Sequence, residues 1–237
     1  MSDGNQIGPR GVDVSRMFGR IARRYDFANR ILSLGLCVGW RNALVDETAA
    51  LHPTRAVDLA TGSGDVAFAL RAALPAASTV EGYDFCEPLL DLARERAKRE
   101  AIAGIRFAHG DCMRLPIADG SVDAVTIAYG IRNFEDRPAG LRELRRILRP
   151  GGTALILEFS QPSAWFWPVH FIQVRLIAPI VATLITGDLA AYRYLGTSIA
   201  GFPDAKGLDA ELLKAGFGAV RHRRLLFGTV AIHMATA

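Results

Sequence analysis

The chain has 237 residues, 50% hydrophobic and 22% charged, which is a globular composition with enough length for a buried core. Its formal net charge is +4, and +3 of this falls on residues 1–30, which carry six arginines and three aspartates. Because the remainder is nearly neutral, the charge argues against nucleic acid as a partner and predicts one local basic patch.

Cysteine and histidine positions show no metal or disulfide pattern. The three cysteines, at 37, 86 and 112, are scattered, as in a reduced cytoplasmic protein, and the five histidines lack metal-ligand spacing. We therefore expect no metal. The N-terminus has no apolar signal core, so secretion is not expected.

The first 51 residues predict a helical cap. Apolar residues at positions 14, 17, 18 and 21 fall on one face of a helix, with arginines around the rest. A second helix is predicted over 40–51. The basic, apolar helix over 14–24 fits three roles: a solvated amphipathic helix, a lid over a lipid tail, or a contact with anionic membrane.

Residues 52–160 predict an α/β core in which strands alternate with helices, and this order is typical of a doubly wound parallel sheet. The predicted strands cover 55–60, 78–84, 105–111, 122–129 and 153–159, and the predicted helices cover 65–74, 88–100 and 136–148.

A helical insertion that forms a lid over the substrate is expected over 161–203. A C-terminal region, 204–237, follows in the same single domain. That region predicts a helix over 204–215 and two strands, 217–226 and 229–236, joined tightly at Phe227 and Gly228. The twelve apolar residues 176–187 would span about 18 Å as a helix, against roughly 30 Å of bilayer hydrocarbon. We therefore expect a core or interfacial helix there.

The segment "VDLATGSGD", 57–65, predicts a strand, a glycine turn and the start of a helix. Gly62 and Gly64 allow a ligand to approach the backbone closely, and Asp58 can bond either the turn or the ligand. With Ala67, the spacing satisfies the dinucleotide fingerprint. Alone, it fits a nicotinamide cofactor, S-adenosylmethionine and a plain tight turn equally.

Acidic residues end the next two predicted strands. Asp84 lies 20 residues after Gly64, where a carboxylate reaches a pair of ribose hydroxyls. Asp111 can accept a hydrogen bond from an adenine amine while the Cys112 N–H donates to a ring nitrogen. Each acid alone fits a strand-end turn, but three successive strand ends with suitable residues favour cofactor binding.

Four segments together resemble class I S-adenosylmethionine-dependent methyltransferases: "DLATGSGD", "YDFCEPLLDLAR", "GDCMRLPIADGSVDAV" and "ILRPGGTALILEF". The terminal hairpin is similar to that family's sixth and seventh strands. The resemblance implies a Rossmann-like sheet, mostly parallel with an antiparallel C-terminal strand.

Five further segments resemble the ubiquinone/menaquinone biosynthesis C-methyltransferases over nearly the whole chain from about residue 14. They are "RYDFANRILSLG…WR", "AYGIRNFEDR", "LEFSQP", "YRYLGTSIAGFP" and "FGTVAIHMA". This resemblance implies C-methylation of a prenylated hydroquinone by S-adenosylmethionine, foremost demethylmenaquinol to menaquinol. Ubiquinone-pathway benzoquinol methylation is an alternative or second activity.

The resemblance and the quinol chemistry imply catalytic roles for five residues. Arg132 would stabilise the phenolate that develops on the quinol, and Asn133 would orient it. Asp26, Tyr25 and His233 are candidates for taking the proton, directly or through water. The reaction needs no metal.

Family correspondence also implies that Ser63, Asp84, Asp111 and Cys112 contact the cofactor. Ala128 stands where some members have serine, so one side-chain hydrogen bond would be absent. We expect a cytoplasmic protein. The sequence leaves two further questions open: whether the protein contacts the inner face of the membrane, and whether it forms a homodimer.

Several of these residues and segments also have a purely structural interpretation. Arg132 could pair with Glu135 or Asp136, His233 could be a structural histidine, and Trp40 is expected to be plain packing. The aromatic run over 164–171 fits the core or a dimer contact better than a substrate pocket, although a polyprenyl tail needs an apolar channel.

Three functions compete with quinol methylation. They are methylation of another small phenol, NAD-dependent oxidoreduction, and RNA or membrane binding without turnover. Lack of a second catalytic domain counts against oxidoreduction, and the near-neutral charge after residue 30 counts against RNA binding.

Overall fold

The structure, a computed structural model, describes residues 31–33, 35–177, 183 and 189–237, and at 174, 176 and 189–193 it describes the backbone only. The predicted helix over 14–24 lies outside these residues. Within them, no helix is long and apolar enough to cross a membrane.

A seven-stranded sheet forms the centre of the fold. Its strand order is β3-β2-β1-β4-β5-β7-β6, with β1 to β5 parallel and β7 antiparallel to both of its neighbours. This confirms the predicted fold class. The strands are β1 Arg55–Leu59, β2 Thr79–Asp84, β3 Ile105–His109, β4 Val122–Ala128, β5 Leu148–Phe159, β6 Ala219–Leu225 and β7 Val230–Thr236.

Helices cover both faces of the sheet, so the central strands are nearly continuous apolar runs, as expected of a parallel sheet buried on both sides. Side chains of α1, α2 and α3 pack on one face, and those of α4 and α7 pack on the other. The helices are α1 Leu36–Ala49, α2 Asp65–Ala73, α3 Glu87–Arg99, α4 Arg137–Ile147, α5 Trp167–Ile172, α6 Leu189–Ala200 and α7 Ala205–Lys214.

Two element boundaries differ from the sequence prediction by four or more residues. Helix α1 begins four residues before Trp40, because the cap at Gly35 adopts a left-handed conformation that starts the helix there. Strand β5 begins at Leu148 rather than 153, because Leu148 already pairs with Val122 of β4 across a register irregularity. Gly151 and Gly152 therefore lie within the strand.

The tips of β1 and β4 approach each other closely where the sheet ends. Ala60 and Tyr129, which follow these strands, both have positive φ angles, 50° and 59°. A Cβ on Gly130 would lie 2.4 Å from the Ala60 Cβ, so only glycine fits. This contact sets the spacing between the glycine turn after β1 and the "IRN" segment after β4.

Candidate active site

The turn between β1 and α2 gives the site its backbone surface. Gly62 and Gly64 have φ angles of 57° and 88°, which L side chains rarely adopt. A Cβ on Gly64 would also lie 2.8 Å from the Phe107 ring. The glycines are therefore required by the turn, and the N-terminus of α2 faces it, which favours negative charge.

Asp58 ties this turn to β4 and is 1% exposed. Its Oδ2 accepts a hydrogen bond from the Thr61 hydroxyl at 2.6 Å, and its Oδ1 accepts one from the Thr126 hydroxyl at 2.7 Å. Burial raises the pKa of Asp58 to about 7, with a smaller contribution from Asp84, while the two hydroxyl bonds oppose the rise. Asp58 was expected to bond either the turn or a ligand, and the structure shows the bond to the turn.

Asp84 ends β2 beside the same turn, as its spacing from Gly64 predicts. Its Oδ2 accepts the Gly62 N–H at 2.8 Å and its Oδ1 accepts the Cys86 N–H at 2.8 Å. Burial raises the pKa of this carboxyl, and the backbone hydrogen bonds counteract the rise. The carboxylate is thus fixed in orientation at the edge of the turn.

The other predicted cofactor residues follow strands at the same edge of the sheet. After β3, Asp111 is exposed and accepts the Met113 N–H at 2.9 Å, and Cys112 is buried. Burial raises the pKa of the Cys112 thiol, so it stays protonated. Ser63 is half-buried in the turn, and Ala128 is half-buried at the end of β4. The structure brings these strand ends together, whereas their contact with a cofactor stays a prediction.

Arg132 lies in a short 3₁₀ helix, Ile131–Asn133, directly after β4. Its Nη1 is 2.8 Å from Glu158 Oε1, and both side chains are 1% exposed. The same nitrogen donates to the Tyr129 carbonyl, and the guanidinium lies 5.2 Å from the Phe159 ring centre. The acidic partner of Arg132 is thus Glu158 on β5. Asp136 was one of the two expected partners, and it instead caps α4 by accepting the Ala139 N–H.

Asn133 is held from the opposite side by α6. Its Oδ1 accepts a hydrogen bond from the Tyr194 hydroxyl at 2.8 Å. This bond connects the insertion between β5 and α7 to the tip of β4. Sequence reasoning assigned no role to Tyr194, since nothing in its local pattern indicates a partner 61 residues away.

Tyr129 is a second residue that sequence reasoning passed over. Its ring packs 5.0 Å from that of Phe159, and burial raises the pKa of its hydroxyl well above the usual value. The hydroxyl is buried and forms no hydrogen bond within the described residues. A buried hydroxyl without a partner is costly, so this oxygen is suited to a bound ligand.

Of the three predicted proton acceptors, His233 is the one that the described residues include. Tyr25 and Asp26 lie outside the described residues. His233 is 2% exposed on β7, with its Nδ1 2.9 Å from Asp209 Oδ1, and burial lowers its pKa. Its structural partner is therefore Asp209, and its role as a base stays a prediction.

The aromatic run over 164–171 is not part of the core. Trp165 is 67% exposed and Trp167 is 50% exposed, and Phe227 joins them from the β6–β7 connection, 4.8 Å from the Trp165 ring. We call Trp165, Trp167, Phe171 and Phe227 the aromatic surface. The core interpretation is wrong because apolar composition favours burial only where another element covers the segment. Trp40, in contrast, packs against the core as expected.

Comparison with known proteins gives a family match over almost the whole chain. The model of the ubiE/COQ5 methyltransferase family matches residues 6–237. The demethylmenaquinone methyltransferase of Thermus thermophilus is 43% identical over 219 residues, covering 92% of this chain and 98% of that protein. The ubiquinone/menaquinone biosynthesis C-methyltransferase UbiE of Geotalea uraniireducens is 37% identical over 232 residues, covering 97% and 98%.

Solved structures share the fold at low sequence identity. A SAM-dependent methyltransferase from Thermotoga maritima has a TM-score of 0.66 at 18% identity, covering 93% of this chain and 98% of that one. A SAM-dependent methyltransferase from Aquifex aeolicus has a TM-score of 0.58 at 15% identity, covering 82% and 88%. These likenesses establish the architecture.

The buried ion pair yields a prediction about stability. Glu158→Ala leaves the Arg132 cation buried without its carboxylate, so it should lower the free energy of unfolding by about 3–5 kcal/mol. Arg132→Met combined with Glu158→Leu removes both charges and should recover most of that loss. Urea unfolding of the three proteins measures both effects. A Glu158→Ala protein as stable as the wild type would contradict the prediction.

Proposed function

The chain belongs to the ubiE/COQ5 methyltransferase family, and from this we propose that it transfers the methyl group of S-adenosylmethionine to a ring carbon of a prenylated hydroquinone. The favoured substrate is demethylmenaquinol, after the relative that is 43% identical. The structural observation that carries the proposal is the Arg132 cation, buried and fixed at the strand tip beside the glycine turn. Ubiquinone-pathway benzoquinol is the second candidate, after the relatives named UbiE.

S-adenosylmethionine would bind across the carboxyl ends of β1 to β4. The Asp84 carboxylate would accept from the ribose hydroxyls, Asp111 from the adenine amine, and the Cys112 N–H would donate to an adenine nitrogen. The glycine turn and the N-terminus of α2 would receive the carboxylate end of the cofactor. Support comes from the structure's placement of these groups on one edge of the sheet.

The chemistry explains why a cation belongs at the tip of β4. A quinol ring carbon attacks the sulfonium methyl once the neighbouring hydroxyl loses its proton. A carbon–carbon bond then forms, the sulfur–methyl bond breaks, and the ring carbon's proton leaves to solvent. Arginine side chains do not act as proton acceptors in proteins, so the role of Arg132 would be to stabilise the phenolate. Glu158 fixes its orientation in advance, so little reorganisation is needed during the reaction.

Asn133 would position the quinol hydroxyl, held in turn by Tyr194. Because Tyr194 lies on α6, closure of the insertion over the substrate would also set the orientation of the Asn133 amide. Proximity between the ring carbon and the methyl group then supplies much of the rate. We expect the step to need no metal ion.

Methyl transfer from labelled S-adenosylmethionine tests the proposal directly. Demethylmenaquinol and the ubiquinone-pathway benzoquinol are offered separately in detergent under reducing conditions, with the oxidised quinone as a control. We expect label in the menaquinol ring carbon, and none with the electron-poor quinone. Label in a soluble phenol but in neither prenylated quinol would exclude the proposed substrate class.

The variant lacking both charges separates the structural and catalytic roles of Arg132. If the cation stabilises the phenolate, Arg132→Met with Glu158→Leu should bind S-adenosylmethionine normally and turn over about a hundredfold more slowly than the wild type. Wild-type turnover in this folded variant would make the ion pair structural only.

Asp84 provides the test of the cofactor site. Asp84→Ala should weaken S-adenosylmethionine binding by about tenfold or more, because a charge-assisted hydrogen bond to the ribose is lost. Glu81→Gln is the matched control, since Glu81 lies on the same strand and pairs with Arg55 away from the turn. Calorimetry measures both affinities, and an unchanged affinity in Asp84→Ala would refute the ribose role.

The aromatic surface supports a contact between the protein and a lipid bilayer, where a prenylated quinol resides. Tryptophan favours the membrane–water interface. The surface is flanked by Arg175, near the Phe171 ring, and by Arg224, which bonds Ser163. The sequence from 159 to 187 contains no acidic residue. These features fit an anionic membrane surface.

Sedimentation with anionic phospholipid vesicles tests this contact. Trp165→Ser with Trp167→Ser should lower vesicle binding by about tenfold, because both side chains leave the interface. Leu213→Ser, which alters an exposed leucine on α7, is the control and should bind like the wild type. Equal binding by the double variant and the control would place the membrane contact elsewhere or exclude it.

A further inference from the structure

Asp209, His222 and His233 form a polar cluster apart from the proposed active site. His222 Nδ1 lies 2.6 Å from Asp209 Oδ2, and His233 Nδ1 lies 2.9 Å from Asp209 Oδ1. One carboxylate is thus shared between two imidazoles, and the ligand-capable atoms of all three residues lie within 4.8 Å of one another. Methyl transfer as proposed gives no role to Asp209 or His222.

Regular elements rather than loops position the three side chains. His222 on β6 and His233 on β7 are direct partners in the antiparallel register, so their side chains share one face of the sheet. Helix α7 packs over that face through Leu208 and Leu212, which places Asp209 opposite the two rings. Sites built on helices and strands hold their geometry more closely than sites on loops.

We propose that Asp209, His222 and His233 form a binding site for a divalent transition-metal ion, with Zn²⁺ as the best-fitting ion. Two imidazole nitrogens and one carboxylate oxygen are a ligand set that Zn²⁺ accepts, and hard ions such as Mg²⁺ prefer oxygen ligands alone. Ligands at about 2.0–2.2 Å in a tetrahedron lie about 3.3–3.6 Å apart. The two carboxylate–imidazole distances, 2.6 and 2.9 Å, are shorter and involve different carboxylate oxygens, so the three side chains would have to move apart by about 0.5 Å to admit an ion.

Binding would replace the two hydrogen bonds at the carboxylate. Each imidazole would coordinate through Nδ1 and keep its proton on Nε2, and the carboxylate would bind through one oxygen. The fourth position would hold water. Access is from the edge strand, because the side chains of His222 and Asp209 are 19% and 21% exposed whereas His233 is buried.

Such an ion would join the C-terminal hairpin to α7. It would bind the folded chain and not the unfolded one, so its stabilising effect would rise with its concentration. Asp209 and His222 have no step in the proposed methyl transfer, and the test measures Zn²⁺ binding rather than turnover, so it stands independently of the proposed function.

The test uses the full chain, freed of metal with a chelator and dialysed. Zn²⁺ is added in competition with a chromogenic chelator, and Mg²⁺ is added as the comparison ion. We expect one equivalent of Zn²⁺ to bind, a rise in Tm with Zn²⁺, and no change with Mg²⁺. Co²⁺ as a spectroscopic substitute should give the visible absorption of a four-coordinate site.

His222→Gln is the decisive variant, because His222 is partly exposed on an edge strand and its loss should leave the fold intact. Zn²⁺ affinity should fall about a hundredfold, while the metal-free Tm stays near that of the wild type. His52→Asn is the matched control, since His52 is exposed outside the cluster and has a φ of 51° that asparagine tolerates. It should bind Zn²⁺ like the wild type.

Asp209→Asn adds a second variant that keeps the side chain's size, and it should also lose tight binding. Wild-type protein that does not compete with the chelator would overturn the proposal. Undiminished Zn²⁺ binding by His222→Gln and Asp209→Asn would overturn it too, because the ion would then lie elsewhere in the chain.

Discussion

The buried pair of Arg132 and Glu158 is the constraint on which the active end of the sheet depends. Each ion costs several kcal/mol to desolvate, so the pair persists only if both partners stay in contact. Glu158 Oε1 also accepts the Phe159 N–H, and Arg132 donates to the Tyr129 carbonyl. The pair therefore fixes the ends of β4 and β5 relative to each other. We infer that it is retained for the position of the cation rather than for stability.

The neighbouring strand ends carry carboxyl groups in place of a cation. Asp58 and Asp84 are both buried, and each has a raised pKa, because burial disfavours the carboxylate and Asp84 adds repulsion at Asp58. A sulfonium cation bound next to them would favour their ionised forms. The edge of the sheet is thus divided into an acidic half at β1 and β2, suited to the cofactor, and a half at β4 and β5 with a fixed cation, suited to a phenolate.

The sequence alone could predict the half of the site that is suited to the cofactor better than the half that holds the fixed cation. The glycine turn, Asp84 and Asp111 follow from local patterns, because the carboxyl ends of parallel strands meet at one edge. The partners of Arg132 and Asn133 lie 26 and 61 residues away, and no local pattern encodes such pairings. One signal was available for the nearer partner: Glu158 is the only charged residue in the otherwise apolar "TALILEF". For the aromatic run over 164–171, the core alternative was wrong, since composition does not show which segments remain uncovered.

The C-terminal hairpin connects these observations. Strand β7 pairs with β5 so that Ala231 lies opposite Glu158 and His233 lies opposite Ile156, two residues before it. Residues two apart on a strand share a face, so the histidine cluster and the ion pair occupy adjacent rows of the same sheet surface. Loosening the hairpin would therefore loosen the strand that holds Glu158. A metal ion joining β6 and β7 to α7 would restrain β5 without touching the substrate, and the C-terminal hairpin would then influence the orientation of Arg132.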